Sequence, residues 1–363
     1  MLQRRVVIGF FIVASIGLSR NLLSQSSAPP RDSSPITDSI ASHYLAITDS
    51  ASLAPNERAA WQRRLDAAHD TLEAVLSWYH TAGRGDEELR MLTALGRFWD
   101  GLSLVNGFDR ALALPKKQPV VRARALNSAA AAAFRVKDRD RTRQWAIESI
   151  AIFRSLGDSS GMGRAYERLV QLALRDGDHA PLRALADTGN RLCAHAHDED
   201  CQAYLLNMRG ESARVLKQYD SAAVYYDRAG TIYARLSPVP RLDIAHNVGF
   251  TLLALGRSEE ARKRFQNGMR DAVAVGSKRF YGAMLAGLAS ADAVERKGVS
   301  AAKLFGMSDA QLEQLGIVAD PADAVEYERY RSLARKQLGN RAFDAAVKRG
   351  RAIPLDSVMV HIH

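Results

Sequence analysis

Apolar residues along this chain recur every three or four positions rather than every second one. In AAVYYDRAGTIY, Ala222, Tyr226 and Ala229 stand at i, i+4 and i+7 of one helix face. In YERYRSLARKQL, Tyr327, Tyr330, Ala334 and Leu338 stand at i, i+3, i+7 and i+11. No alternating Val/Ile/Thr run bounded by hairpin turns occurs, and the good helix formers Ala, Leu, Arg and Glu dominate. The pattern predicts an all-α chain.

The helices repeat. Gly210 precedes Ala222 by twelve residues, and the set Gly210, Ala222, Tyr226, Ala229 returns as Gly249, Ala261, Phe265, Gly268 and as Ala289, Ala301, Phe305, Ser308. Upstream it appears more loosely as Val170, Leu182, Ala186, Gly189 and as Ala130, Thr142, Ala146, Ser149. Successive copies are 40, 40, 39 and 40 residues apart, and the last position is small in all five. Small residues at the first and last positions let two antiparallel helices approach, and the middle aromatic fills the gap between hairpins. Turn residues fall between the paired helices at Asp138, at Asp176-Gly177-Asp178 and at Gly256. A single hairpin leaves an apolar face open, so neighbours must stack.

This spacing resembles tetratricopeptide (TPR) repeats, with a period nearer 40 than the usual ~34, as in the longer MalT-like version. The resemblance implies a right-handed superhelical solenoid of antiparallel helix hairpins. The flanks narrow it. WQRRLDAAHDTLEAVLSWYHTAGRGDEELRMLTALGRFW (Trp61 to Trp99), RALALP, SAAKLFGMSDAQLEQLG (Ser300 to Gly316) and YERYRSLARKQLGNRAFDAAVKRGRAI are collinear with the helical region of large bacterial LuxR-type and MalT-like ATPase regulators. In that family the region receives a signal from a small molecule or a protein. This chain departs from it in the short DGLSLVNGFD segment and at Val347, where the family often places Trp. It also lacks a G-x-x-x-x-G-K-[ST] phosphate loop.

The predicted organisation is a signal peptide or signal anchor (1–28), a flexible linker (29–41), N-terminal helical hairpins (42–115), five TPR-like repeats (116–318) and a C-terminal helical cap (319–363). After the basic start MLQRR, the 13 uncharged residues Val6 to Leu18 are short for a bilayer span of roughly 20 residues and suit a signal-peptide core. Cleavage near Ser26, retention as an anchor and a misread gene start all stay open. At the other end, Asp320 is a cap for a helix starting at Pro321, Gly339 ends that helix, and Asn340 caps another closed by Gly350. This pair is expected to cover the open face of the last repeat.

Charge changes the picture little. The net charge is +10, and ten Lys/Arg between Arg110 and Arg143 face only Asp109, Asp138 and Asp140. Base stacking needs interleaved aromatics, and this stretch has only Phe134. A solvated helix face is the expectation and nucleic acid is disfavoured.

Candidate chemistry centres on CAHAHDEDC, which holds both cysteines with His195 and His197 between them. A zinc site, a disulfide and free buried thiols are the three readings. Zinc pairs usually space as C-x2-4-C and H-x3-5-H, which this order does not follow. A Cys193–Cys201 bond closes a tight interhelical turn and suits an oxidising compartment. His361 and His363 end the chain, while His69 and His246 read as packing or surface residues. Glu87-Glu88 and Glu259-Glu260 sit in first turns of helices, where acids favour the dipole. No G-x-S-x-G elbow exists, so no catalytic, metal or cofactor site is expected.

The function expected is a non-catalytic protein–protein interaction scaffold, periplasmic or membrane-anchored facing outside. A protein or peptide partner would seat in the groove formed by the first helix of each hairpin, against Arg164, Asn207, Arg214 and Asn247. Membrane contact arises only through an uncleaved N-terminus, and self-association stays open. The alternative is a stand-alone sensory region of a LuxR-type regulator in the cytoplasm.

Overall fold

A computed structural model describes residues 35–354, apart from 55–56, 116–117 and 318–320. The hydrophobic segment at Val6 to Leu18, most of the linker, and His361 and His363 lie outside the described residues. Among the described residues, the chain forms seventeen helices and no strand, as the apolar spacing predicts. It falls into two compact units, residues up to Arg168 and residues from Leu169.

The N-terminal unit opens with α1 (Asp38–Ser52). This helix begins inside the stretch predicted as linker, because Thr37 caps it by accepting from the Ile40 N–H and Asp38 pairs with Arg84. α2 (Arg58–Ala67) and α3 (His69–Thr81) follow, then α4 (Gly85–Leu95) and α5 (Leu102–Ala113), around buried Trp61, Leu72, Tyr79 and Phe108. The first repeat is α6 (Pro119–Arg135) against α7 (Arg139–Ser155), with Pro119 at the helix start and Asp138 capping α7. Ala130, Thr142, Ala146 and Ser149 are all fully buried. The basic stripe is partly internal: Arg122 is buried against Glu148 (2.6 Å) and the Leu112 carbonyl (2.8 Å), and Arg141 pairs with Asp109. Its solvated reading therefore fails at Arg122.

α8 (Ser159–Asp176) carries the boundary between the units. In the C-terminal unit it is followed by α9 (His179–His195), then by the hairpins α10 (Glu199–Val215) with α11 (Tyr219–Leu236), α12 (Leu242–Ala254) with α13 (Ser258–Ala274), and α14 (Arg279–Val294) with α15 (Gly298–Gln314). α16 (Pro321–Leu338) and α17 (Asn340–Arg351) close the described chain.

The repeat positions explain the packing. A Cβ on Gly210 would meet the Tyr226 ring at 2.5 Å, and one on Gly249 would meet Phe265 at 2.4 Å, so glycine seats the aromatic of the paired helix. Phe265 also lies 2.3 Å from where a Cβ on Gly287 would stand, joining its hairpin to the next. Where the last small position is serine, its hydroxyl donates to the first helix: Ser149 to the Ala123 carbonyl and Ser308 to the Gly282 carbonyl, each at 2.8 Å.

The turn at Cys193 to Cys201 is built by ordinary capping. The Asp198 N–H donates to the Cys193 carbonyl and the His197 N–H to the Ala194 carbonyl, ending α9 with His197 left-handed at φ 54°. Asp198 then caps α10 by accepting from the Cys201 N–H. This brings the two Cα atoms to 5.9 Å, and a disulfide joins Cys193 to Cys201.

Candidate protein-binding site

The first helices α10, α12 and α14 present one face of the C-terminal unit, and that face is not open. On α10, Asn207, Glu211 and Arg214 share a stripe at i, i+4 and i+7. Arg214 is only 3% exposed. Its guanidinium donates to Glu326 (2.7 Å) and Asp323 (3.0 Å) of α16 and to Glu211 (3.2 Å) of its own helix. The next helix joins in: the Asn247 amide donates to Glu211 at 2.6 Å, and the His246 ring bridges Asn247 (3.1 Å) and the Tyr327 hydroxyl (2.8 Å).

Apolar contacts continue along the same two helices. The Phe250 ring of α12 stacks with Tyr327 and Tyr330 at centroid distances of 5.4 and 6.2 Å. The stripe Tyr327, Tyr330, Ala334 is buried as its spacing predicts, but its first half covers the inner face of α10 and α12. The cap thus does more than close the last repeat. That repeat is covered by the second half of α16 and by α17. Arg331 pairs with Asp309 at 2.7 Å and lies over Phe305, and Gln337 donates to the Ala293 carbonyl. α17 packs backbone to backbone on α15, where a Cβ on Gly306 would stand 2.2 Å from the Val347 carbonyl and one on Gly350 2.0 Å from that of Lys303. Asn340 is the first residue of α17, with Gly339 (φ 77°) at its cap position, one residue earlier than predicted.

Electrostatics at this cluster is set by burial. Burial pushes the Glu211 carboxyl above the usual carboxylate range; Arg214 opposes the rise and Asp323 adds to it. Glu326 is raised for the same reasons, with His246 also opposing. Burial works against the Arg214 charge, yet Glu211, Tyr226, Glu326 and Asp323 outweigh it, so the guanidinium holds its proton more tightly than a free one. Burial also raises the Tyr330 hydroxyl to about 12. Among the polar atoms buried here without a hydrogen-bond partner are Arg214 Nε, Asn207 Oδ1 and the Tyr330 hydroxyl.

Arg214 and Asn247 therefore meet at one site, with Asn207 one turn from Glu211 on the same helix. Arg164 belongs to the N-terminal unit, half-buried on α8. Sequence reasoning missed Glu211, Asp323 and Glu326 and took His246 for a packing or surface residue. The missing signal was in α12 and α14: LDIAHNVGFTLLA and RFYGAMLAGLASADAV leave little polar face for solvent, which marks helices covered on all sides. Elsewhere, in the N-terminal unit, Glu88 is 1% exposed and held by His80 at 3.1 Å, with burial again raising its carboxyl. Among the described residues no group of metal-ligating side chains assembles, and no helix is long and apolar enough to cross a membrane.

These hairpins define an all-α, TPR-like helical repeat protein. Solved structures that share the fold include the following two. One is a Rap protein complexed with competence and sporulation factor, with a TM-score of 0.56 and 10% identity over 89% of this chain and 92% of that one. The other is aspartyl phosphate phosphatase F from Bacillus subtilis, with a TM-score of 0.54 and 14% identity over 89% and 96%. No protein-family model and no curated relative matches the sequence.

Proposed function

We propose that this chain is a non-catalytic protein–protein interaction scaffold whose partner engages the first-helix face of the C-terminal unit. The observation that carries the reading is the buried Arg214 cluster. A guanidinium, an amide and an imidazole converge there with carboxylates supplied by a separate helix, which is the chemistry of recognising an acidic polypeptide. The fold adds support, since one solved structure with it is complexed with competence and sporulation factor. The test is capture of the native partner from the host by the intact chain and by an Asn207→Ala/Asn247→Ala variant. Capture reduced at least tenfold is expected, and undiminished capture overturns the reading.

The scaffold works in an oxidising compartment, exported or tethered by its N-terminus. The Cys193–Cys201 bond supports this, as does the apolar core of the N-terminal segment. A non-reducing intact mass of the protein from its host tests it. Loss of the hydrophobic segment, together with a mass two hydrogens below the dithiol form, is expected. A full-length mass with both thiols free favours the second reading, a cytoplasmic signal-receiving region of a LuxR-type regulator, for which the collinear flanks speak.

A further inference from the structure

α16 is held in two different ways along its length. Its second half, from Arg331 to Leu338, lies on the last hairpin, beside α17, which meets α15 backbone to backbone. Its first half is attached to α10 and α12 by the polar contacts of Asp323, Glu326 and Tyr327 and by stacking of Tyr327 and Tyr330 on Phe250. The fit there is loose. A cavity of about 450 Å³ opens between Arg214, Tyr219, Val325 and Glu326. Val325 is 73% exposed. The site is also incompletely used, because Arg214 Nε and Asn207 Oδ1 are buried without partners.

We infer that the first three turns of α16 act as a resident ligand of this face, and that the partner is a helical segment of another protein carrying the same stripe. That stripe is a carboxylate, a second carboxylate one turn on, and aromatics immediately after it and one turn later, the spacing of Asp323, Glu326, Tyr327 and Tyr330. The inference rests on the interaction-scaffold reading. Charge fixes the class: Arg214 is buried, so a segment that displaces α16 without bringing carboxylates leaves the guanidinium facing Glu211 alone, a strongly unfavourable state. An acidic segment exchanges one set of ion pairs for another and fills space that α16 leaves empty. α17 keeps the chain anchored while the first half of α16 lifts. The arrangement is competitive, so weakening the resident stripe raises affinity for the incoming one.

A labelled synthetic peptide, PADAVEYERYRSLARKQL, is the probe, its binding read by fluorescence anisotropy. Against full-length protein carrying Asp323→Asn, Glu326→Gln and Tyr327→Ala, it is expected to bind at least tenfold more tightly than to the unaltered chain. The same peptide with the acids at positions 323 and 326 replaced by their amides is expected to lose at least tenfold. Equal binding to the two proteins, or binding indifferent to the peptide's acids, overturns the inference. A measurement on the unaltered chain covers a variant that does not fold. Saturating isotope-labelled peptide is expected to speed amide exchange at least fivefold in residues 323–330 and to leave α17 unchanged; unaltered exchange in residues 323–330 overturns the inference. If the Asn207/Asn247 variant loses its native partner while the peptide shows no competition, only the resident-ligand inference falls. If that variant captures undiminished, the scaffold reading falls.

Discussion

Arg214→Met removes the centre of the cluster and keeps most of the side-chain volume. Three carboxylates lie within 3.2 Å of the guanidinium in the native chain. Without it, Glu211, Asp323 and Glu326 face one another, half-buried, with Asn247 and His246 beside them. Removing one partner of a buried ion pair costs about 3–5 kcal/mol. The carboxylates keep 14–22% exposure, so the lower end, ~3 kcal/mol, is expected for the seating of α16 at neutral pH. The pH dependence carries a sign. Glu211 and Glu326 have raised folded-state values, so the seated helix binds more protons than the released one. Their contribution is fully present below the ordinary carboxylate value and is lost as pH rises through the raised one. Loss of Arg214 raises both further, and the deficit should shrink by roughly 1–3 kcal/mol between pH 7 and pH 5. Repeat arrays lose global cooperativity, so the assay is amide exchange localised to α16, with urea unfolding alongside. Adding Glu211→Gln, Asp323→Asn and Glu326→Gln to Arg214→Met should recover most of the loss, because the repulsion goes with the charges. A single-variant cost under ~1 kcal/mol, or one unmoved by acidification, refutes the account.

Two further outcomes follow from the packing. Gly287→Ala places a Cβ 2.3 Å from the Phe265 ring and should cost about 1–3 kcal/mol in urea unfolding; on a Phe265→Leu background the cost should fall by at least ~1 kcal/mol, and strictly additive costs contradict the wedge. Replacing Cys193 and Cys201 together by serine reopens a nine-residue loop and should destabilise α9 and α10 by about 2.5 kcal/mol on the chain-entropy estimate; reductant should produce the same shift in the native chain and none in the variant.

The helices, their pairing and the core were legible in the sequence because they depend on local spacing. Ala222, Tyr226 and Ala229 share one helix face whatever else the chain does, and each of the five copies buries all four of its repeat positions. The turn at CAHAHDEDC was legible in outline for the same reason, since Asp198 caps the helix that follows it. The site was half legible. Arg214 and Asn247 were recognised by register as polar residues on first helices, but the register says nothing of what stands opposite them. Asp323 and Glu326 lie more than a hundred residues from Arg214, and no local spacing connects them to it. That α16 turns inward over α10 and α12 depends on how the last hairpin is packed. Gly306 and Gly350 let α17 sit flush on α15, and α16 is then carried across the inner face. Local periodicity sets which residues of a helix are buried; the partner that buries them is chosen by long-range packing. Here that choice turned a groove expected to be open into one already holding a helix of its own chain.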